Sequence, residues 1–219
     1  MTRQLTTIGE YNVAGYPSPV YLSGVLPPGA APADSVRFEQ DAIPQLADAI
    51  GSLRDGKGVE PSLDVKDLMT WITEGDLDED SELITHGEIF YALTDELVWS
   101  RDTLLGYAAV RGAWLFGGLG TDVRVTELVF NREVTDSAHY ARLIAALLDG
   151  VLGSPAFRAA DGDVFVGSDA PSQKGSRIMR GFGLDHDGGL SQFSGHLSTL
   201  RKALRGVIGT AAVAGDEWF

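Results

Sequence analysis

The sequence predicts a mixed α/β (α+β) fold built around one core. Apolar residues make up 44% and charged residues 22% of the 219 residues, which is typical of a chain that buries a core. Segments near the middle are rich in β-branched and aromatic residues and are separated by glycines, as in paired strands. Other segments carry apolar residues at three- and four-residue spacing, as in amphipathic helices.

Residues 1–35 predict an extended arm. Five prolines limit regular structure here to short extended pieces: Pro17, Pro19, Pro27, Pro28 and Pro32. The same segment holds Tyr11, Tyr16 and Tyr21, which a purely solvated linker would not need. The arm therefore packs either on its own domain or on a neighbouring molecule, and the sequence leaves both open.

Two helices are predicted to precede the sheet. The first lies within residues 35–53, where apolar residues recur at helical spacing and Pro44 disturbs the early turns, so a start after Pro44 is favoured. The glycine-containing segment 55–58 ends it, and residues 62–73 predict a second, shorter helix.

The acidic run at residues 74–82 is the first place to test for a metal. A calcium loop that began at Asp76 would need glycine at its sixth position and glutamate at its twelfth, where the chain has Ser81 and Gly87. We interpret the run as a solvated loop. The four histidines also lack the spacing of a zinc-binding helical pair, so we expect no metal site.

The sheet is predicted to follow this acidic run. Residues 89–93 and 104–116 are expected to form strands, and residues 123–129 a third. The glycine-rich segment 117–120 most simply joins the last two strands as an antiparallel hairpin loop.

Helices and strands then alternate. Asp136-Ser137 is expected to cap a helix that runs to about Leu152, with its apolar residues on one face. A short strand is predicted at 164–167, a short helix at 172–180 and a closing helix at 191–208.

The formal charge of -14 argues against bulk binding of nucleic acid, because the phosphate backbone would be repelled on average. The chain has no cysteine, and no apolar run approaches the roughly 20 residues of a membrane span. The first residues also lack the apolar core of a signal peptide. We therefore expect no membrane association and a cytoplasmic location.

Four segments resemble the Gcn5-related N-acetyltransferase (GNAT) fold. Residues 87–93 look like the second strand of that family, 105–111 like its third and 124–130 like its fourth. Residues 177–184 resemble the stretch where a short helix runs into a Gly-Phe turn after the fifth strand.

This resemblance implies a central mixed, mostly antiparallel sheet flanked by helices. It places the GNAT-like α/β domain in residues 36–190, after the arm of residues 1–35. A C-terminal helix and tail, residues 191–219, would follow it.

The resemblance also implies a cofactor, acetyl-CoA or another acyl-CoA, and no metal. In the family, the segment after the fourth strand binds the pyrophosphate through backbone amides and a helix N-terminus. The matching positions are Val129, Asn131, Arg132, Ser137, Ala138 and His139. They depart from the family pattern because they contain no glycine, and Glu133 and Asp136 stand where phosphate would lie.

Glu127 matches the general base of the family by its place on the fourth strand. Alternation along that strand puts Glu127 on the same face as Val123 and Val125. The family's acid, a tyrosine in the late short helix, has no counterpart in residues 172–180.

Two functions follow from these observations. The first is an acyl-CoA-dependent N-acyltransferase of unknown acceptor. The alternative is a non-catalytic assembly component, for example of a phage virion, which would contact protein neighbours through residues 1–35 and 206–219 and lie in a large particle.

Overall fold

A single mixed sheet with helices on both faces organises the computed structural model. The residues that it describes are 3–26, 38, 42–59, 64–74, 88–97, 102–114, 121–167, 172–187 and 192–209. None of the helices in these ranges is long and apolar enough to cross a bilayer.

The described elements are numbered in chain order. The strands are β1 (Gln4–Tyr11), β2 (Val20–Leu26), β3 (Ile89–Thr94), β4 (Leu104–Trp114), β5 (Thr121–Phe130), β6 (Asp163–Gly167), β7 (Asp185–Asp187) and β8 (Gln192–His196). The helices are α1 (Ala42–Lys57), α2 (Val65–Glu74), α3 (Arg132–Asp136), α4 (Tyr140–Gly153), α5 (Gln173–Gly181) and α6 (Leu197–Gly209).

The strands lie in the order β1-β2-β3-β4-β5-β6-β8-β7. Every described pair is antiparallel except β5 and β6, which run parallel. The predicted class, a mixed and mostly antiparallel sheet flanked by helices, is confirmed. β4 and β5 pair as predicted, and the glycine loop predicted between them lies outside the described residues.

Each face of the sheet has its own apolar core. Successive residues of a strand point to opposite faces, so Phe90 packs with α1 and α2 whereas Tyr91 packs with α4 and α6. We call these the α1–α2 face and the α4–α6 face. The first is filled from the helices by Leu46, Ile50, Leu68 and Ile72, and the second by Leu143, Leu147, Leu200 and Leu204.

The predicted arm contains two strands of the sheet. β1 pairs with β2, and β2 pairs with β3, so residues 4–26 pack on their own domain. Leu5, Leu22 and Val25 are buried, which explains why this segment is ordered against the sheet. The prolines did not prevent this pairing, because Pro17 and Pro19 lie in the connection between the two strands.

The starts of the first and the last helix differ from the sequence prediction. α1 begins at Ala42 rather than after Pro44, because a proline in the first turn loses no intrahelical hydrogen bond. The closing segment forms a strand, β8, before α6. A Cβ at Gly195 in β8 would lie 2.9 Å from the Gly183 carbonyl oxygen. A larger residue at this position would therefore require the backbone to shift.

Arg201 on α6 ties the end of α4 to the last helix. Its guanidinium donates to the carbonyl oxygens of Ala160 at 2.6 Å and Phe157 at 3.0 Å, and more distantly to those of Leu152 and Arg158. It thereby satisfies carbonyl groups beyond the last turn of α4.

Replacing Arg201 with methionine should destabilise the protein by about 2–3 kcal/mol, since hydrogen bonds from a charged donor are lost while the apolar stem is kept. Urea unfolding would measure the change. Lys202→Met is a matched control, because Lys202 is exposed on the same helix and its replacement should change stability by less than about 0.5 kcal/mol. Equal losses in the two variants would contradict the assigned role.

Candidate functional site

A β-bulge in β5 decides where Glu127 points. Ala109 of β4 is paired with Glu127, whereas the next residue, Val110, is paired with Val125. Thr126 is therefore the extra residue, and its hydroxyl donates to the Ala109 carbonyl at 3.1 Å. Simple alternation placed Glu127 with Val123 and Val125, and this prediction is wrong. The bulge turns the carboxylate onto the α1–α2 face.

Glu127 is held there by two donors. Arg54, from the last turn of α1, forms an ion pair with Oε1, and the Tyr107 hydroxyl donates to Oε2 at 2.5 Å. The side chain of Arg54 is 2% exposed and that of Glu127 is 16% exposed. Glu127 is thus the acidic partner of a largely buried ion pair.

The pKa values of both donors respond to this arrangement. Burial alone would lower the pKa of Arg54, but the hydrogen bond to Glu127 and the charges around it raise that pKa above its ordinary value. Burial, followed by the negative charge of Glu127, raises the pKa of Tyr107. Tyr107 therefore stays a neutral donor and Arg54 stays charged at any ordinary pH.

A second carboxyl group, Glu88, lies on the same face. The Trp71 indole donates to its Oε2 at 2.6 Å, and the hydroxyl of Thr126 is a second hydrogen-bonding partner. Arg54, the partner of Glu127, lies over the ring of Trp71, the partner of Glu88, at 5.3 Å from the ring centroid. The two carboxyl sites are therefore neighbours. Burial is the largest influence on the pKa of Glu88 and raises it above its ordinary value.

The sequence analysis did not identify Glu88 as a site residue. Its partners come from α2 and β5, which are distant in the chain, and no local motif marks it. The available signal was a charged residue next to the continuous apolar strand 89–93, on the face opposite to Ile89.

The raised pKa of Glu88 predicts how stability depends on pH. A carboxyl group whose pKa is raised by folding stabilises the folded state below its ordinary pKa, and this contribution is lost as pH rises through the raised pKa. Glu88→Gln should therefore be at least as stable as the wild type at pH 7, and this advantage should shrink as the pH falls towards 4. Urea unfolding across pH 4–8 would check this, and an advantage that grows on acidification would contradict it.

The described parallel pairing of β5 with β6 ends next to the same bulge. Residues 123–125 of β5 pair with β6, and the pairing ends at Val125. β5 continues to Phe130, so its outer edge beyond Thr126 has no partner strand among the described residues. Residues 168–171, which follow β6, lie outside the described residues.

The segment after β5 forms a capped turn of helix. Asn131 is the N-cap of α3, because its Oδ1 accepts from the Val134 amide at 2.8 Å, and its Nδ2 donates to the Leu104 carbonyl at 3.1 Å. The predicted cap at Asp136-Ser137 is wrong, since α4 begins only at Tyr140. Both polar atoms of the Asn131 side chain are thus hydrogen-bonded to the backbone.

Other predicted cofactor residues are spread around this turn. Val129 is partly buried against the α1–α2 core, and Ala138 is exposed. The Ser137 hydroxyl donates to the Val134 carbonyl and accepts from the His139 amide at 3.2 Å. Arg132 is 90% exposed and pairs with Asp136 at 3.6 Å.

His139 is the N-cap residue of α4, but its side chain makes no capping hydrogen bond. Its Nδ1 is buried without a hydrogen-bond partner among the described residues, and its ring meets the edge of Tyr16 at 5.7 Å between centroids. The structure therefore brings Asn131, Ser137 and His139 together around α3, while Glu127 lies further back on β5.

Lys174 of α5 supplies a cation to this turn. Its Nζ donates to the carbonyls of Thr135 at 2.9 Å and Ser137 at 3.1 Å, and lies 5.6 Å from the centre of the Tyr140 ring. The Tyr140 ring in turn meets Phe130 at 5.6 Å between centroids. Lys174 thus sits beside the start of α4, a position that the sequence analysis did not single out.

A cavity of about 180 Å³ lies between α1 and the end of β5. It is lined by Ala49, Ser52, Leu53, Gly56, Lys57, Leu104, Asn131 and Arg132. Ligand pockets for drug-sized molecules span about 300–1,000 Å³, so this one holds a small group and not a whole cofactor. Burial lowers the pKa of Lys57, whose Nζ donates to the Thr135 hydroxyl at 3.3 Å.

No group of three or more His, Asp or Glu side chains in the described ranges is arranged to hold a metal ion. The acidic run of residues 75–82, which we interpreted as a solvated loop, lies outside those ranges.

Comparisons with known proteins return acetyltransferases among solved structures. A GNAT-family acetyltransferase from Desulfovibrio desulfuricans aligns at 16% identity and a TM-score of 0.45 over 71% of this chain and 94% of its own. The NatC complex bound to Gag peptide and CoA aligns at 9% and 0.42, covering 68% and 88%. An AtaT toxin mutant bound to acetyl-CoA and the C-terminus of the antitoxin AtaR aligns at 16% and 0.37, covering 56% and 73%.

No protein-family model and no curated protein sequence matches the chain. At these identities and TM-scores, the matches say nothing about the chemistry of this chain.

Proposed function

We propose that the chain is an acyl-CoA-dependent N-acyltransferase. The observation that carries this proposal is the end of the described β5–β6 pairing next to the Thr126 bulge, with two carboxyl groups beside it. A strand edge with unpaired backbone groups can hydrogen-bond an extended, amide-containing molecule. The pantetheine arm of an acyl-CoA has that chemistry.

The donors around α3 and α4 fit the anionic part of such a cofactor. Lys174 and the N-terminus of α4, which has no side-chain cap, offer positive charge beside the end of β5. Lys57 and Arg132 line the neighbouring cavity, which is large enough for a phosphate group. The Ser137 hydroxyl and the Lys174 ammonium both bond to the backbone, so Lys174 is expected to contribute through its charge.

An acyl-CoA supplies a thioester, whose carbonyl carbon is attacked by an amine. The N–C bond forms as the C–S bond breaks, and the thiolate leaves with the electron pair. A basic side chain must then take the proton that the amine loses. Glu127 and Glu88 are the described carboxyl groups next to the bulge, and the sequence-based assignment of this role to Glu127 stays a prediction.

The alternative, an assembly component, was suggested by the two unusual ends. Residues 4–26 now have an intramolecular partner in β3, and the tail beyond residue 209 lies outside the described residues. No described feature separately favours the assembly function, so we propose the enzyme alone.

Calorimetric titration with acetyl-CoA tests the proposal. We expect binding by the wild type, and a Kd weakened about tenfold or more in Lys174→Met, since a charge-assisted contact to phosphate is lost. Lys66→Met is the matched control, because Lys66 is exposed on α2 and makes the same change of charge away from this site. Absence of wild-type binding at millimolar acetyl-CoA would refute the proposed function.

A further inference from the structure

The two carboxyl groups on the α1–α2 face have opposite surroundings. Glu127 has a cation and a hydroxyl donor bound to its two oxygens. The hydrogen-bonding partners of the Glu88 carboxyl among the described residues are neutral, the Trp71 indole and the Thr126 hydroxyl. The ion pairs within 4.0 Å in the described part of the chain do not include Glu88.

We propose that Glu88, and not Glu127, accepts the proton that the acceptor amine loses. This inference rests on the proposed N-acyltransferase function and names a further catalytic residue for it. The two carboxyl groups beside the bulge differ in their partners, since Glu127 is ion-paired and Glu88 is hydrogen-bonded by neutral groups. Paired titratable groups with unlike surroundings commonly divide the roles of charged stabiliser and proton carrier.

Protonating Glu127 would break a buried ion pair. The charge of Arg54 would then stay in a nearly solvent-free site without its counter-ion, which is strongly unfavourable. The Glu127 carboxylate is thus committed to the Arg54 guanidinium. Its role in this proposal is to fix Arg54 and Tyr107, and through Arg54 the position of the Trp71 ring.

Glu88 can change its charge without breaking an ion pair. Its immediate partners are neutral, and the raised pKa brings its titration closer to neutral pH. The charged groups that act on it from other elements are Arg111 on β4, which favours the charged form, and Glu127 on β5, which opposes it. Arg3, beside β1, donates to the Glu88 backbone carbonyl, and its charge also interacts with that of Glu88.

Glu88 is also at the right place on the sheet. It contacts Thr126, the bulged residue next to which the described β5–β6 pairing ends. In this proposal the thioester of a bound acyl-CoA lies at the bulge, next to this contact. As the amine nitrogen bonds to the carbonyl carbon and the thiolate leaves, the amine proton passes to the Glu88 carboxylate and then to solvent, while the thiolate takes a proton from solvent.

The test is acetyl-CoA turnover, followed as thiol release, with three probe amines: spermidine, a lysine-containing peptide and an amino-acid amide. We expect Glu88→Gln to lower kcat/KM about 100-fold or more and to abolish the acidic limb of the pH–rate profile, with the acetyl-CoA Kd within threefold of wild type. Glu88→Asp should retain part of the activity. Loss of activity should not come from unfolding, because Glu88→Gln is expected to be at least as stable at neutral pH.

Trp71→Phe provides a second readout. The indole hydrogen bond favours the charged form of Glu88, so its loss should move the acidic limb of the profile to higher pH. Glu88→Gln with turnover within twofold of wild type, an intact acidic limb and normal acetyl-CoA binding would overturn this inference and leave the proposed function standing. Absence of acetyl-CoA binding by the wild type would overturn both.

Discussion

Replacing Arg54 with methionine is expected to lower the free energy of unfolding by about 3–5 kcal/mol, because it leaves the Glu127 carboxylate in a largely buried site without its cation. Among the described residues, the Tyr107 hydroxyl would then be the remaining donor to the Glu127 carboxylate. Equilibrium unfolding in urea at pH 7 would measure the loss.

Two further variants separate the ion pair from the packing of α1. Arg54→Met combined with Glu127→Met should recover most of the loss, since an apolar pair of similar volume is often as stable as a buried ion pair. Lys57→Met, in the same last turn but exposed, should change stability by less than about 0.5 kcal/mol. If the double variant were as unstable as the single one, the loss would come from the guanidinium stem and not from the unpaired carboxylate.

Gly150→Ala is expected to destabilise the protein by about 1–3 kcal/mol, through overpacking between α4 and the sheet. A Cβ at this position would lie 2.1 Å from Leu22 Cδ2 and 2.8 Å from the Tyr11 hydroxyl oxygen. Either the Leu22 and Tyr11 side chains or α4 itself would have to shift, and Leu22 is fully buried, so its neighbours would have to adjust with it.

Gly153→Ala is the matched control in the same helix. A Cβ there meets nothing within 4 Å, so the gain in helix propensity of up to about 1 kcal/mol should appear as a higher free energy of unfolding. Thermal or urea unfolding of the two variants should therefore change in opposite directions. A stabilising Gly150→Ala would contradict the packing described for α4.

The elements that local patterns specify were predicted well. The spacing of apolar residues located α4 and most of α1, and the β-branched runs located β3, β4 and β5. The antiparallel pairing of β4 and β5 followed from the glycine segment between them. These features depend on residues that are near one another in sequence, which is why the sequence alone suffices for them.

The features that remained hidden depend on contacts between distant residues. One extra residue, Thr126, reverses the face of Glu127, and no local rule distinguishes a bulged strand from a regular one here. Glu88 accepts a hydrogen bond from Trp71 on α2, and the turn after β5 accepts one from Lys174 on α5. The strand β1 and the place of β2 in the sheet were missed, because β1 pairs with β2 and β2 pairs with β3, which is distant in the chain.

The position of β1 and β2 matters for anyone who shortens the chain. They cover the edge of β3, a strand whose six residues are all buried. Removing residues 1–30 would expose that edge with unpaired backbone groups and apolar side chains, which is the surface on which strands of separate molecules add to one another. Such a truncated protein should aggregate during expression, so its loss of function would carry no information about partners bound by the N-terminal segment.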